Sequence, residues 1–380
     1  MIDLPVQKLK PGMVTAQAIY NSSGANYITR GMTLTHQYIK RLKKLGVEGI
    51  HVTNSATGIK LLPPEDVLSE KTRAIAVKQV CDVFQRVQQR GTFNIAPLAQ
   101  VSAAIVNDII NRQQKLVQLT DIRIHDMYTF AHSVNVSMLS SLIGTLAGYD
   151  KEVISELALG GMLHDVGKLA VASRILNKHG RLTDEEFSII RKHPQAGALR
   201  IRQLNIPDAA QLAIMAYQHH EKMNGTGYPE GRFGKEIHLY GRICAIADVY
   251  DALTSVRPYK KAYTPSVAYH IMTQCSPGQF DEELLQLFFK NVAIYPVGTV
   301  LKTSLGYGIV KSVEFGRTEH PIVLIFAEKN GTLRKNPAAV DFGEETDAHI
   351  NTVINDVELF HLIHEMGFDP ASLLAEQSGQ

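Results

Sequence analysis

The sequence predicts a mainly α fold. A helical bundle occupies residues 64–292, a small β-rich domain precedes it at 1–63, and a small β-rich appendage with a terminal helix follows at 293–380. Three observations carry this reading. From about 65 to 290, apolar residues recur at spacings of three and four, as in "EVISELALGGMLHD", "DEEFSIIRKH", "DAAQLAIMAYQHH" and "RICAIADVYDALTS". That is the period of an amphipathic helix, and no strand-rich stretch interrupts it, so one all-helical domain is expected, leading helices included. After about 293, "YPVGTVLKTSLGYGIVKSVEF" and "PIVLIFAEKNGTLRK" alternate apolar and polar residues around "LGYG" and "KNG". This predicts hairpins and a small barrel-like unit.

The first sixty residues mix short strands with one helix. "LKPGM" and "NSSGANY" are turn chemistry, with Gly12 and Gly24 available for positive φ. "THQYIKRLKKLG" sets Ile39, Leu42 and Leu45 on one helical face and Gly46 as a stop. Lys40, Arg41, Lys43 and Lys44 then lie on the solvated faces. "VEGIHV" reads as a strand, and the proline pair of "LLPPED" marks a boundary where the next helix opens. Asp184 and Asp208 stand at N-cap positions, and "DVELFHLIHEMG" is an amphipathic helix before a frayed end.

A chain of 380 residues holds two or three domains, and a composition 45% hydrophobic and 20% charged is that of a packed protein. The net charge of +2 argues against a nucleic-acid polymer as partner and leaves any attraction for phosphate local. Cys81, Cys244 and Cys275 are widely spaced and form no CxxC pair, which suits free thiols in a reducing compartment. No apolar signal core and no uninterrupted apolar run of about 18 residues is present. A cytoplasmic protein without a membrane span is expected.

Of fifteen histidines, His132, His164, His193, His219 and His220 fall where helices end in the middle region. Asp165 follows His164, and Asp248 lies inside the apolar "RICAIADVYDAL". A carboxylate flanked by Ile246, Ala247 and Val249 is costly to bury unless it is paired or holds a cation. A single such histidine is most simply a surface or core residue. Seven groups on one helical domain are what bundles use to build metal sites from facing helices. Imidazole and carboxylate without thiolate suit iron or manganese at least as well as zinc. Asp165, with two oxygens, can bridge two ions. Adjacent helical residues point about 100 degrees apart, so His219 and His220 are either both ligands at an unwound helix end or one ligand and one structural partner.

The stretches "DMYTFAHSVNVSMLS", "LHDVGKL", "KHPQAG", "HHEKMNGTGYPEG" and "IADVYDALTSVRPYKKA" resemble, in order, the signatures of the HD-GYP family. That is a subgroup of HD-domain metal phosphohydrolases that open cyclic di-GMP. The likeness runs from about Asp126 to Phe289. A lone HD dipeptide is a weak signal; five ordered motifs including GTGYP are a specific one. The resemblance implies an HD-type bundle with His132, His164, Asp165, His193, His219, His220 and Asp248 as metal ligands. It implies that Asp165 and Lys168 are catalytic, and that Asp126, Lys168, Arg257 and Lys260 hold the substrate. Guanidinium and ammonium groups suit phosphate oxygens and guanine acceptors. The loop of Gly225, Thr226, Gly227, Tyr228 and Pro229 is associated with recognition of substrate and of partners such as GGDEF-domain proteins. A homodimer is a further expected assembly. Some members carry a glutamate four residues before the HSVNV histidine and hold three metals; Tyr128 stands there. A phenol is a poor ligand at neutral pH, so two divalent ions are expected, iron or manganese before zinc, nickel or magnesium.

The implied reaction is hydrolysis of cyclic di-GMP to pGpG, with GMP after a second cut, by a metal-bridging hydroxide attacking phosphorus. A general HD nucleotide phosphohydrolase would need neither the GTGYP nor the RPYK stretch. A non-catalytic cyclic-dinucleotide sensor or GGDEF-docking module would tolerate loss of a ligand, whereas all seven positions are filled. Hydrolysis of cyclic GMP-AMP stands as the sister specificity.

Overall fold

The computed structural model describes residues 2–16, 19–20, 26–29, 31–44, 47, 49–53, 67–90, 93–111, 128–176, 178, 180–204, 206–255, 262–344 and 347–375. At the amino-terminal end, β1 (Ile2–Pro5), β2 (Val14–Thr15) and β5 (Gly49–Thr53) form an antiparallel sheet in the order β1-β5-β2. A two-stranded ribbon, β3 (Ile19–Tyr20) and β4 (Asn26–Ile28), and one helix, α1 (His36–Lys44), accompany it. Helix α1 buries Ile39 and Leu42 and exposes its four basic residues, as the spacing predicts.

The middle of the chain is helical: α2 (Glu70–Arg90), α3 (Ala96–Ile110), α4 (Tyr128–Leu146), α5 (Lys151–Leu163), α6 (Ser173–Leu176), α7 (Asp184–Ile190), α8 (His193–Arg202), α9 (Ala209–Gln218), α10 (Leu239–Thr254), α11 (Pro265–His270) and α12 (Glu282–Asn291). Their apolar stripes converge on one core that includes Val80, Phe84, Leu139, Leu163, Met215, Ile246, Tyr250 and Phe288. Helix starts are set by local chemistry. Asp150 and Asp281 accept bonds from the backbone N–H three residues on. The expectation for α7 is corrected. Its N-cap is Thr183, in a reciprocal capping box with Glu186, and Asp184 is the first helical residue. Asp208 occupies the N-cap of α9, but its side chain makes no capping bond. The proline pair at 63–64 lies outside the described residues.

After α12 come β6 (Val300–Thr303), β7 (Gly306–Ser312), β8 (Ile322–Ala327), β9 (Leu333–Asp341) and β10 (Ile350–Val353), then α13 (Asp356–Met366) and α14 (Ser372–Ala375). The strands form one antiparallel sheet in the order β10-β6-β7-β8-β9. Both faces are covered, which is why "VLIF" in β8 is an unbroken apolar run. Leu301, Val310, Val323 and Ile325 pack on one side with Phe342. Val300, Ile309, Leu324 and Phe326 pack on the other, against Leu4, Val6, Leu34, Leu42, Ile50 and Val52. The β-rich regions from the two ends of the chain therefore share one apolar core. Among the described residues, no helix is long and apolar enough to cross a membrane.

Phe326 is 1% exposed in that shared core. Phe326→Ala should destabilise it by about 3–5 kcal/mol through lost transfer energy and the residual cavity. In limited proteolysis of the variant, new cleavage should appear within residues 2–53 as well as within 293–375. Cleavage confined to the carboxy-terminal region would show that the amino-terminal region is stable without it.

Candidate metal centre

Five helices deliver the seven predicted side chains to one place, largely from their ends. His164 is the C-cap of α5, His219 the C-cap of α9, and His193 the first residue of α8. His132, expected at a helix end, lies instead in the second turn of α4, and Asp248 lies in the interior of α10. The last turn of a helix leaves carbonyls without an intrahelical partner, and the imidazoles use them. His164 Nδ1 donates to Gly161 O at 2.7 Å, His193 Nδ1 to Ile190 O at 2.7 Å and His219 Nδ1 to Ala216 O at 2.8 Å. A carbonyl can only accept, so in its neutral form each of these rings carries its proton on Nδ1 and turns a bare Nε2 inward. The C-terminal ends of α5 and α9 also place negative helix-dipole potential there, which favours a cation.

Close backbone contact sets the spacing between these ends. After Asp165 the chain runs through a 3₁₀ turn, Val166–Ala170, against the start of α8. A Cβ on Gly167 would lie 1.9 Å from His193 O and 2.5 Å from Gly197 N, so only glycine permits this approach. It brings the His164–Asp165 pair to His193.

Asp165 is the hub. Its Oδ1 is 3.3 Å from His193 Nε2 and 3.7 Å from His219 Nε2, while its Oδ2 is 3.4 Å from His164 Nε2 and 3.8 Å from His132 Nε2. The two oxygens thus face two different imidazole pairs. Asp248 straddles the same space, with Oδ1 at 3.1 Å from His132 Nε2 and Oδ2 at 3.9 Å from His220 Nδ1. Among the described residues, two groups have ligand atoms close enough to hold a metal ion: His193, His219 and His220, and His132, His164 and Asp165. The donor set fits divalent cations on a second count. His164 Nε2 and Asp165 Oδ1 are buried polar atoms without a hydrogen-bond partner, and the bare Nε2 atoms of His193 and His219 face each other at 3.2 Å. Opposed lone pairs in a dry interior are unfavourable unless a cation lies between them.

The electrostatics agree. Burial would raise the Asp165 carboxyl, but the Lys168 ammonium, 2.5 Å away, holds it well below the usual carboxylate range. Burial, helped by the neighbouring imidazoles, pushes His219 far below the ordinary histidine value, and burial takes His220 down to about 3. Both are neutral at physiological pH, the form that ligates metal. His132 differs. Burial works against its charge, but bonds to Asp248 and Asp251 outweigh it and lift His132 to about 9.

The rim is built by the loop after α9. Glu221, 2% exposed, accepts from the backbone N–H of Glu230 at 2.8 Å and of Arg232 at 3.0 Å, closing the loop like a clasp. Gly225 has φ +74°, as a tight turn requires. Gly227 serves close approach instead, since a Cβ there would meet Lys222 N at 2.4 Å and His220 O at 2.6 Å. Thr226 is tied to Asn224 Oδ1 through both N–H and hydroxyl, and Pro229 follows Tyr228 through a cis bond. The Tyr228 ring stacks on His220 with centroids 4.7 Å apart, and the Arg191 guanidinium lies 4.9 Å from the Tyr228 ring. Lys168 sits between hub and solvent, its side chain 31% exposed. Asp126, Arg257 and Lys260 lie outside the described residues, as does the side chain of Tyr128.

Sequence reasoning passed over Glu221, Arg191 and Asp251. The signal for Asp251 was available: it stands three residues after Asp248 in the same apolar helix, where a carboxylate is equally costly to bury. The signal for Arg191 was not, because only the fold sets it over Tyr228.

Comparison with known proteins agrees with this geometry. The family model described as an HD domain matches residues 104–284. A cyclic di-GMP phosphodiesterase of Pseudomonas aeruginosa is 34% identical over 268 residues, covering 70% of this chain and 64% of the relative. One of Thermotoga maritima is 36% identical over 165 residues, or 43% of this chain and 45% of the relative. A 3'3'-cGAMP-specific phosphodiesterase of Vibrio cholerae is 31% identical over 191 residues, or 50% of this chain and 43% of the relative. The chain thus spans between 43% and 64% of the length of these curated relatives. With its HD pair at the hub and its GTGYP loop closed over the neighbouring imidazole, the stretch 104–284 is an HD domain carrying the signatures of the HD-GYP family.

Proposed function

We propose that the chain is a metal-dependent phosphodiesterase that hydrolyses cyclic di-GMP to linear pGpG, with GMP as the product of a second cut. The observation that carries this reading is the opposition of two imidazole pairs across the two oxygens of Asp165, at 3.3–3.8 Å. Such a carboxylate suits two ions a short distance apart, and N/O ligands without thiolate suit iron or manganese. His132, His164, Asp165, His193, His219, His220 and Asp248 would hold them. Divalent cations bound there supply water that ionises near neutral pH and offset charge on the phosphoryl oxygens.

The chain's own groups do the rest. Asp165 and Asp248 give the centre the negative charge that retains cations. Lys168, reaching from the hub toward solvent, offers its ammonium to a phosphate oxygen as charge grows on it. Tyr228, stacked on His220, borders the centre, and Arg191 adds a cation at the rim. Asp126, Arg257 and Lys260 complete the substrate contacts in this reading. In this reading the regions 1–63, 64–292 and 293–380 make up the chain, the first and last packed together on one core. The GTGYP loop would meet GGDEF-domain proteins, and a second copy of the chain would form a dimer. The cytoplasm is the proposed compartment, since Cys81, Cys244 and Cys275 are all free. The relatives' names support the substrate, several being cyclic di-GMP phosphodiesterases. Those that are 3'3'-cGAMP-specific favour a second reading, with cyclic GMP-AMP as the substrate. Parallel turnover of both dinucleotides by metal-reconstituted protein, read by chromatography, tests it. Faster loss of cyclic di-GMP is expected, and cleavage of cyclic GMP-AMP alone would reverse the assignment.

If Asp165 bridges the ions, Asp165→Asn should fall from about two ions per chain to one or none. Turnover should then drop by at least about 10³-fold, with circular dichroism unchanged. Elemental analysis beside an activity assay checks this, and full metal content with full turnover would remove Asp165 from the centre.

Lys168→Ala should keep its metal yet lose about 10²-fold in kcat with little change in KM, because a contact that strengthens with developing charge acts on the transition state. Steady-state kinetics with metal analysis decides it. Loss of metal would make Lys168 a support for the Asp165 carboxylate, to which its Nζ is bonded.

A further inference from the structure

His132 is oriented by a partner outside its own helix. Its Nδ1 donates to Asp251 Oδ2 at 2.6 Å, and Asp251 Oδ1 accepts from Asn135 Nδ2 and from Ser255 Oγ, each at 2.7 Å. Asn135 Oδ1 in turn accepts from Arg73 Nη1. Arg73 is 3% exposed and Asp251 is 4% exposed, so the chain of bonds is buried at both ends. Its direction is unambiguous. Guanidinium has no acceptor and carboxylate no donor, so the Asn135 amide fits between them in one orientation only. Two helices contribute matched pairs three residues apart: His132 and Asn135 on α4, and Asp248 and Asp251 on α10. Residues at that spacing share a helix face. Each pair therefore supplies one group to the metal centre and one to the layer behind it.

Arg73 comes from α2, ahead of the residues 104–284 matched as an HD domain. We propose that Arg73, Asn135 and Asp251 form a positioning relay that holds the His132 ring for a divalent cation, so that α2 sets the metal affinity of the centre. The cation's field is met by a carboxylate on Nδ1, which raises the basicity of Nε2 and fixes the ring. The carboxylate in turn is oriented and partly neutralised through the amide by the buried guanidinium. An Arg73 that only anchored α2 to the bundle would affect stability and leave metal affinity alone. The inference rests on the metal centre proposed above, but not on its substrate.

The test uses Mn(II) binding to metal-free full-length protein, followed by calorimetry and by the electron paramagnetic resonance signal of free Mn(II), with circular dichroism to confirm folding. Asp251→Asn should weaken binding by about 10- to 100-fold and Arg73→Met by about three- to ten-fold. Arg73→Lys, which still donates to Asn135, should recover most of the loss. The double variant Asp251→Asn, Arg73→Met should bind little worse than Asp251→Asn, because both changes act through one path. If Arg73→Met does not fold, Arg73→Gln carries the comparison, with a smaller loss expected. Wild-type Mn(II) affinity in the folded Arg73 variants, or losses that multiply in the double variant, would overturn the relay. Absence of Mn(II) binding by the wild type would overturn the metal centre and the relay with it; turnover of a different dinucleotide would touch neither.

Discussion

The centre is governed by one electrostatic constraint: bare lone pairs that face one another in a dry interior must share positive charge. His193 Nε2 and His219 Nε2 stand 3.2 Å apart, and both Nδ1 protons are already committed to carbonyls. Asp165 Oδ1 points into the same space without a hydrogen bond. Burying such atoms unpaired costs several kcal/mol in total at the usual rate of about 1–3 kcal/mol each. The metal-free chain offsets part of this with the Lys168 ammonium and a His132 that stays protonated well above the ordinary histidine value. Divalent cations offset it more fully, since they meet imidazole and carboxylate together. The helix ends, the Gly167 contact and the direction of α5 and α9 are arranged so that these lone pairs converge.

The adjacent histidines show how a helix end relaxes the 100-degree rule. His219 is still near helical, at φ −64° and ψ −14°, and bonds back to Ala216 O; His220 follows as the chain leaves the helix. Their rings come within 4.1 Å, and they approach the centre through different nitrogens, Nε2 of His219 beside Asp165 and Nδ1 of His220 beside Asp248. What keeps His220 from swinging outward is the loop. Tyr228 stacks on its outer face, and Glu221 clasps the backbone that carries Tyr228. The combination of HHE with GTGYP in one short stretch is thus one device, an imidazole pair and the cover that holds it.

The helical region, its β-rich flanks and the seven convergent side chains were legible because their signals are local. Period, turn residues, and histidines at helix ends are all read within a few positions. Two kinds of feature were not. The α7 cap fell one residue earlier than expected because Thr183 and Glu186 form a reciprocal box, which outcompetes a lone aspartate at the next position. The larger gap concerns long-range pairing. Asp251 is 119 residues from His132, Arg73 is 62 from Asn135, and Leu42 and Phe326 lie in one core shared by the two ends of the chain. A carboxylate in an apolar helix announces that it needs a partner, but nothing in one sequence says which helix will bring it.

That difference has a structural consequence. His164, His193 and His219 are oriented by carbonyls three residues back, left free because the helix has ended. Their geometry is self-contained and survives as long as their own turn does. His132 lies within α4, where preceding carbonyls are engaged in the helix, so its Nδ1 has to find a side chain on another element. An imidazole inside a helix therefore makes a metal centre depend on tertiary packing in a way that one at a helix end does not. Here that dependence runs first to α10 through Asp251 and then, through Asn135, to α2. Three of the imidazoles are set by their own helix ends, and His132 ties the cluster to the arrangement of the surrounding bundle.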